Sequence, residues 1–327
     1  MLLKGLPRIG LGLAALGRPG YINLDRTAQI AERSEEAMQQ RAFEVLDAAY
    51  AAGVRYFDCA RSYGLSEVFM RNWLAEQQQL VPGDGQIVVG SKWGYRYTAN
   101  WQVEVPGGGA HEVKDHSLEH LNAQSAETLA TLGGGGGSGG NSYLKLLQIH
   151  SATLESGVLE DKAVLSRMAE LRDAHGWRLG LSLSGVAQGE TLRRALETGI
   201  FDTVQATYNC MEQSAGQDLL AAKEAGLEVI VKEAMANGRV LRSPPLLAAA
   251  ERLGCAPDAL ALAAVVQQPF EPIVLSGAVT PSQAESNCEA MALAESLRGI
   301  GEVEALMEAL VVAPEAYWQE RSELTWN

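Results

Sequence analysis

A helix, a glycine and a short apolar run recur along this chain, and that unit restricts the fold more than any other feature. It appears first as Ala51-Ala52-Gly53-Val54-Arg55-Tyr56-Phe57. It returns as Ala174-His175-Gly176-Trp177-Arg178-Leu179, Glu197-Thr198-Gly199-Ile200-Phe201 and Glu224-Ala225-Gly226-Leu227-Glu228-Val229-Ile230. Glycine just past a helix takes the left-handed backbone that ends it. The apolar run that follows has the pattern of a strand buried on both faces, as in a parallel sheet. Helices alternating with such strands are βα units.

Strands are expected at Arg8–Leu13, Val54–Asp58, Gln86–Lys92, Tyr143–His150, Arg178–Ser184, Phe201–Thr207, Glu228–Lys232 and Pro272–Ser276. Intervening segments carry apolar stripes at helical spacing, such as Leu118, Leu121, Leu129 and Leu132 with the small Ser125, and Val164, Met168 and Leu171. Eight parallel strands in 327 residues predict an α/β fold of the (β/α)8 TIM-barrel type. An open doubly wound sheet is the alternative. It would show a glycine-rich phosphate turn, but Gly10-Leu11-Gly12-Leu13 lacks the third glycine and a following helix. The chain reads as one domain over 1–327, with a glycine-rich loop at 133–140 and a C-terminal tail from residue 299 onward.

Three stretches depart from the repeat. Pro19 to Glu36 is polar and is expected to lie over the barrel rim. Trp93 to Lys114 is a long insertion holding Trp93, Tyr95, Tyr97 and Trp101; its aromatics suit a substrate wall or ordinary loop packing. Gly133 to Gly140 has linker composition. It joins a helix to a strand, hence lies at the non-catalytic face, where slack costs little. It precedes a strand and no Lys-Ser/Thr follows, so it is not a phosphate loop.

Composition removes whole classes of function. A net charge of −14 with no Lys/Arg cluster repels nucleic acid, while a small anion needs only a few local donors. No apolar run reaches the ~18 residues of a membrane span. The first strand begins by Arg8, leaving no room for a leader in this chain, and a cytoplasmic location is expected; a trimmed precursor stays open. Cys59, Cys210, Cys255 and Cys288 are far apart and form no CxxC pair, as in a reducing compartment. His116 and His120 have metal-ligand spacing near His111, Glu112 and Asp115, but no HExxH is present and no metal is expected.

In a barrel, chemistry gathers at the C-terminal strand ends. There the chain places Asp58 with Tyr63 in the next loop, Lys92, His150, Ser184, Gln205 with Tyr208-Asn209, and Lys232-Glu233. A free phenol has a pKa of about 10 and is a poor acid at neutral pH. A nearby ammonium lowers that value, and a carboxylate keeps the ammonium charged and oriented. A neutral histidine can hydrogen-bond a carbonyl oxygen. Such a group polarises a carbonyl while another agent delivers hydride.

These residues, in this order, resemble the aldo-keto reductase superfamily. The resemblance rests on Phe57-Asp58-Cys59-Ala60 with Tyr63-Gly64-Leu65-Ser66-Glu67, Ser91-Lys92-Trp93, Gln148-Ile149-His150, Gly180-Leu181-Ser182-Leu183-Ser184, Gln205 with Tyr208-Asn209, and Ser276-Gly277-Ala278 leading to Asn287. It covers Arg8 to about Leu297. It implies a nicotinamide cofactor bound in extended form without a Rossmann domain. Tyr63 is then the general acid, Lys92 the partner that lowers its pKa, Asp58 the carboxylate that holds the lysine, and His150 the residue that orients substrate. Ser184 and Gln205 would bond the nicotinamide carboxamide, and Tyr208 would stack on the ring. Ser276, Gly277, Ser282, Gln283 and Asn287 would hold the adenosine end, with a helix N-terminus behind them. Where the family often has asparagine, an acidic residue or a 2′-phosphate cation, this chain has Gly185, Ser286 and the cation-free run Ser276 to Gln283. Arg239 and Arg242 could offer charge to the pyrophosphate or serve only at the surface. NADP(H) is favoured by the resemblance, and NAD(H) is the competitor.

The expected activity is interconversion of a small-molecule carbonyl, aldehyde or ketone, with an alcohol. The pocket would be walled by the Trp93–Lys114 loop and the tail ending Trp326-Asn327. A cofactor-binding regulatory or partner subunit on the same barrel is the alternative of a different class, against which the full Asp58, Tyr63, Lys92 and His150 set argues. A third option, a barrel hydrolase or lyase, lacks a visible metal or nucleophile set. Nothing in the sequence specifies substrate or oligomeric state.

Overall fold

The computed structural model describes residues 1–24, 26–77, 87–133 and 143–327. Its strands are β1 (Ile9–Gly12), β2 (Tyr56–Asp58), β3 (Val88–Trp93), β4 (Tyr95–Tyr97), β5 (Glu112–Lys114), β6 (Leu144–Ala152), β7 (Arg178–Leu183), β8 (Thr203–Thr207), β9 (Glu228–Lys232) and β10 (Ile273–Ser276). The helices are α1 (Arg26–Gln29), α2 (Glu35–Ala51), α3 (Ser66–Gln77), α4 (Leu118–Leu132), α5 (Lys162–His175), α6 (Gln188–Thr198), α7 (Gly216–Glu224), α8 (Pro244–Leu253), α9 (Pro257–Val266), α10 (Pro281–Ser296), α11 (Glu302–Leu310) and α12 (Pro314–Ser322).

Eight of these strands form a closed parallel barrel, in the order β1-β10-β9-β8-β7-β6-β3-β2. All eight predicted strands are present, and the doubly wound alternative is excluded by closure. β4 and β5 form an antiparallel hairpin inside the long insertion after β3, which the sequence pattern did not reveal. Helices end where the repeat predicted: Gly176 and Gly199 cap α5 and α6 in left-handed backbone. Residues 134–142, which hold nearly all of the predicted glycine-rich loop, lie outside the described residues.

Alternation along the strands sorts side chains into an inner and an outer set. Tyr56, Val88, Leu146, Ile230, Ile273 and Leu275 form an inner cluster, closed from below by Leu3 with Leu2 and Leu6. Glu228 fixes that N-terminal plug by accepting the backbone amides of Leu2 at 2.6 Å and Leu3 at 2.7 Å. The outer set packs on the helices as one continuous core. Gly90 belongs to the inner set for a steric reason. A Cβ there would lie 2.5 Å from the Tyr56 hydroxyl, so glycine lets that ring cross the barrel interior. One step further along each strand, the inner positions become the floor of a cavity.

Candidate active site

β2 turns its inner face from Tyr56 to Asp58, β3 from Gly90 to Lys92, β6 from Gln148 to His150, and β8 from Thr203 to Gln205. These ends meet. Lys92 Nζ pairs with Asp58 Oδ2 and donates to the Cys59 carbonyl at 3.1 Å. The other oxygen, Asp58 Oδ1, accepts from Tyr56 Oη at 3.0 Å, Gln205 Nε2 at 3.0 Å and Gln148 Nε2 at 3.2 Å. Asp58 and Lys92 are both buried, and an ion pair so placed needs this full set of partners to offset its lost hydration.

Tyr63 is carried by the loop after β2, which is clamped on two sides. Gly64, at φ +59°, lies against Gly17, and a Cβ on Gly64 would come within 2.4 Å of the Gly17 carbonyl. Leu65 N donates to that carbonyl at 2.7 Å. Glu67, buried at the start of α3, accepts from Ser91 at 2.5 Å, Thr128 at 2.9 Å and Arg61 at 2.7 Å. It ties the loop to β3 and α4. The outcome is a Tyr63 ring with Lys92 Nζ 4.8 Å from its centroid on one side and the Arg18 guanidinium 5.1 Å away.

The Tyr63 hydroxyl lies 3.4 Å from His150 Nε2, while Ser62 Oγ is 3.3 Å from Nδ1. With the Ser62 hydroxyl donating to Nδ1, the imidazole proton falls on Nε2, facing the cavity. Burial, followed by Lys92, Lys232 and Arg18, pushes His150 well below the usual histidine range, so the ring is neutral. His116 Nε2–H donates to the His150 carbonyl at 2.9 Å and steadies that strand end. Burial pushes His116 down to about 4, so it too is neutral. The His116/His120 spacing therefore serves a prop under His150, and no cluster of metal-ligating groups occurs among the described residues.

At Tyr63 burial outweighs the cations nearby. Burial, and then the charge of Asp58, push the Tyr63 phenol well above its usual range, and Arg18 opposes them. The lysine expected to lower it has its charge committed to Asp58. Tyr63 is held as a protonated acid rather than primed as a phenolate.

A cavity of about 490 Å³ opens above these groups, lined by Asp58, Tyr63, His150 and Gln205 at one end and by Ser276, Gly277, Gln283 and Asn287 at the other. A model of the aldo/keto reductase family matches residues 8–308. The chain belongs to the aldo/keto reductase family. It is an oxidoreductase of the NAD(P)-dependent kind. Solved aldo-keto reductases share its barrel. One from Bacillus halodurans in its holo form is 17% identical, with 93% of each chain covered and a TM-score of 0.63. One from Klebsiella pneumoniae in complex with NADPH is 18% identical, covering 92% of this chain and 91% of that one, with a TM-score of 0.63. The aldose reductase from Schistosoma japonicum is 18% identical, covering 97% and 94%, with a TM-score of 0.64. At these identities the likeness shows the fold. No curated protein matches the chain.

The remaining residues implied by the aldo-keto resemblance divide into two groups. Gln205 lines the cavity, and its Oε1 is buried without a hydrogen-bond partner while Nε2 serves Asp58. An orphaned amide oxygen on a residue of the cavity wall fits a carboxamide N–H. Ser276 Oγ donates to Asn287 Oδ1 at 2.6 Å, and Asn287 Nδ2 donates to Asp258 at 2.8 Å. Gln283 is turned back to its own loop, accepting from Val279 N at 2.9 Å. Asp258 on α9 also accepts from Ser286 at 2.9 Å, so the carboxylate at this end comes from another helix rather than from position 286. Ser282 is outside the cavity, bonded to Thr280 at 3.1 Å. Ser184 does not line it either. Tyr208 faces away: its hydroxyl donates to Gln268 at 3.0 Å and its ring meets Phe270 edge-on.

Several wall residues had no role in the sequence reading. Arg18, buried, donates to Glu112 at 2.9 Å and to the Ser62 carbonyl at 3.0 Å. It is the cation of the loop that follows β1, which was its only signal. Trp326 covers it at 4.6 Å and stacks on His111 at 3.9 Å. The tail is pinned there by the reciprocal backbone bonds of Asn327 and Tyr21, at 3.0 and 3.2 Å. The cavity is thus walled by Glu112 from the insertion and Trp326 from the tail, as expected. The aromatics Trp93, Tyr95, Tyr97 and Trp101 do not line it; Trp101 instead donates to the Arg33 carbonyl at 2.8 Å. Arg239 is committed to Glu320 at 3.1 Å, whereas Arg242 does line the cavity.

Proposed function

We propose that this protein is an NADP(H)-dependent reductase of small-molecule aldehydes or ketones, with Tyr63 as proton donor. The carrying observation is the meeting of Tyr63 Oη and His150 Nε2, 3.4 Å apart, above the buried Lys92–Asp58 pair in one cavity. A carbonyl oxygen lodged against both would accept two hydrogen bonds, one from the phenol and one from the neutral imidazole. Tyr63 then gives its proton to the oxygen as negative charge builds there, and Lys92 and Arg18 flank the phenolate that is left.

A bound NADPH would supply the hydride, from nicotinamide C4 to the carbonyl carbon. Gln205 Oε1 is offered to its carboxamide, and Ser276, Gly277, Gln283 and Asn287 with Arg242 surround the space for its adenosine end. NADP(H) rather than NAD(H) follows from the family and from the NADPH complex of the Klebsiella pneumoniae protein. The whole chain acts as one catalytic domain, its tail folded over the site. Among the described residues no helix is long and apolar enough to cross a membrane, in keeping with action in the cytoplasm.

Tyr63→Phe tests the reading. It keeps the ring and removes the proton. Turnover of an aldehyde panel should fall by at least about a thousandfold, with NADPH binding by fluorescence titration unchanged. Retained turnover would sink the mechanism.

A further inference from the structure

Lys232 ends β9 inside the cavity, two residues beyond Ile230 of the inner barrel cluster. Its Nζ donates to Thr207 Oγ1 at 2.8 Å, across the register pair Thr207–Lys232. That bond is to a neutral hydroxyl. The nearest carboxylate, Glu233, is 3.9 Å away and is taken by Arg321, which reaches it through Nε at 2.8 and 3.0 Å and through Nη2 at 2.5 Å. Two neighbouring cations at this end are matched at closer range: Lys92 by Asp58 and Arg18 by Glu112. Lys232 is the ammonium whose own counterion is held by something else.

We infer that Lys232 binds an anionic group of the substrate, so that the preferred carbonyl compound carries a carboxylate or phosphate within reach of the reacting carbon. Three facts support the placement. Lys232 shares the cavity wall with Tyr63, His150 and Gln205. Its charge is among the three that depress His150, next to those of Lys92 and Arg18, so it lies within electrostatic reach of the reaction centre. Its side chain keeps 16% exposure, against 0% for Lys92, and that exposure faces the cavity. Burial pushes the ammonium down to about 8; Glu233 opposes this, while Arg321 and Lys92 add to it and Asp58 opposes. The charge is therefore present at neutral pH and fades as pH rises through that value, and anion preference should fade with it.

This rests on the carbonyl-reductase reading, and the test separates the two. The probes are 4-carboxybenzaldehyde and its neutral analogue methyl 4-formylbenzoate, each titrated calorimetrically into the NADP+-loaded protein, where no reduction occurs. The carboxylate is expected to bind about tenfold or more tightly than the ester. Lys232→Met should erase that ratio, and Lys232→Arg should keep it. Circular dichroism and NADP+ affinity show whether Lys232→Met is folded. Equal binding of both probes to the unaltered protein, or a ratio that survives Lys232→Met, overturns the inference. Aldehyde reduction with NADPH is scored separately: carboxylate preference in binding without turnover of either probe would refute the catalytic reading and leave Lys232 as an anion site.

Discussion

At the Tyr63 end of the cavity, Asp58 pairs with Lys92, Arg18 with Glu112 and Arg321 with Glu233, and each pair bridges different elements. At the other end Ser276, Gly277, Gln283 and Asn287 are neutral groups, bonded to one another, to their own loop and to Asp258, with Arg242 also on the wall. The contrast has a physical meaning. Charged groups held by several partners cannot relax when a reaction shifts charge, which is what a transition state needs. Neutral, self-bonded groups set position by shape and gain little from a ligand's charge. The reaction end is over-determined and the adenosine end adjustable, and substitutions should behave differently at each.

The largest effect is expected from Lys92→Met. It leaves Asp58 buried with three neutral donors and no cation, a change that costs about 3–5 kcal/mol in buried pairs of this kind. Urea unfolding would measure it, and turnover should collapse as well. Adding Asp58→Asn to Lys92→Met removes the stranded charge and should restore part of the lost stability. A double variant no more stable than Lys92→Met alone would mean that the pair is not the element that makes this end rigid.

How much of this was legible in sequence follows from the same alternation. The eight strands were visible because parallel strands buried on both faces read as apolar runs, and Asp58, Lys92 and His150 were visible because each ends such a run. The inner face extends in steps of two: Tyr56 to Asp58, Gln148 to His150, Thr203 to Gln205, Ile230 to Lys232. By that rule Tyr208 is one odd step past Thr207 and faces outward, where Gln268 receives it. Its expected stacking role ignored the parity of the strand. Tyr56 and Gln148 brace Asp58 from the position before it, and parity would have found both. The upward shift of Tyr63 was not legible, because it depends first on how completely the folded chain buries the phenol and then on the Asp58 charge beside it. Nor were Arg18 and Asp258, which reach the cavity from a loop and a remote helix with no periodicity to announce them, whereas Trp326 of the tail was expected at the wall.

A smaller effect should come from changing the adjustable end. Gly277 has an ordinary backbone conformation, and a Cβ there would meet only Asn23 Nδ2, at 3.6 Å. Gly277→Lys should therefore fold normally and place an ammonium beside the adenosine space. NADPH affinity should rise over NADH by about tenfold, the worth of one charge-assisted contact to a phosphate. Paired fluorescence titrations read this out. An unchanged ratio would show that a cation already present, with Arg242 the candidate on the wall, saturates the 2′-phosphate, and that this end is less bare than its side chains suggest.

The smallest effect concerns the prop beneath the reaction end. Burial holds His116 down to about 4 in the folded chain, while an unfolded histidine titrates at about 6.5. Between those values the unfolded chain binds the additional proton, so folding stability must rise with pH across that window and be lost as pH falls through it. His150, pushed down by burial and by three cations, adds a term of the same sign. His116→Gln keeps an N–H that can donate to the His150 carbonyl but removes the titration. Melting temperatures from about pH 4.5 to about pH 6.5 should climb less steeply in this variant than in the parent, with turnover little changed near neutral pH. Matching slopes would place the pH sensitivity in His150 alone. A large loss of turnover in His116→Gln would show that the imidazole does more than hold one carbonyl, and would extend the rigid half of the cavity a layer beyond the groups that touch substrate.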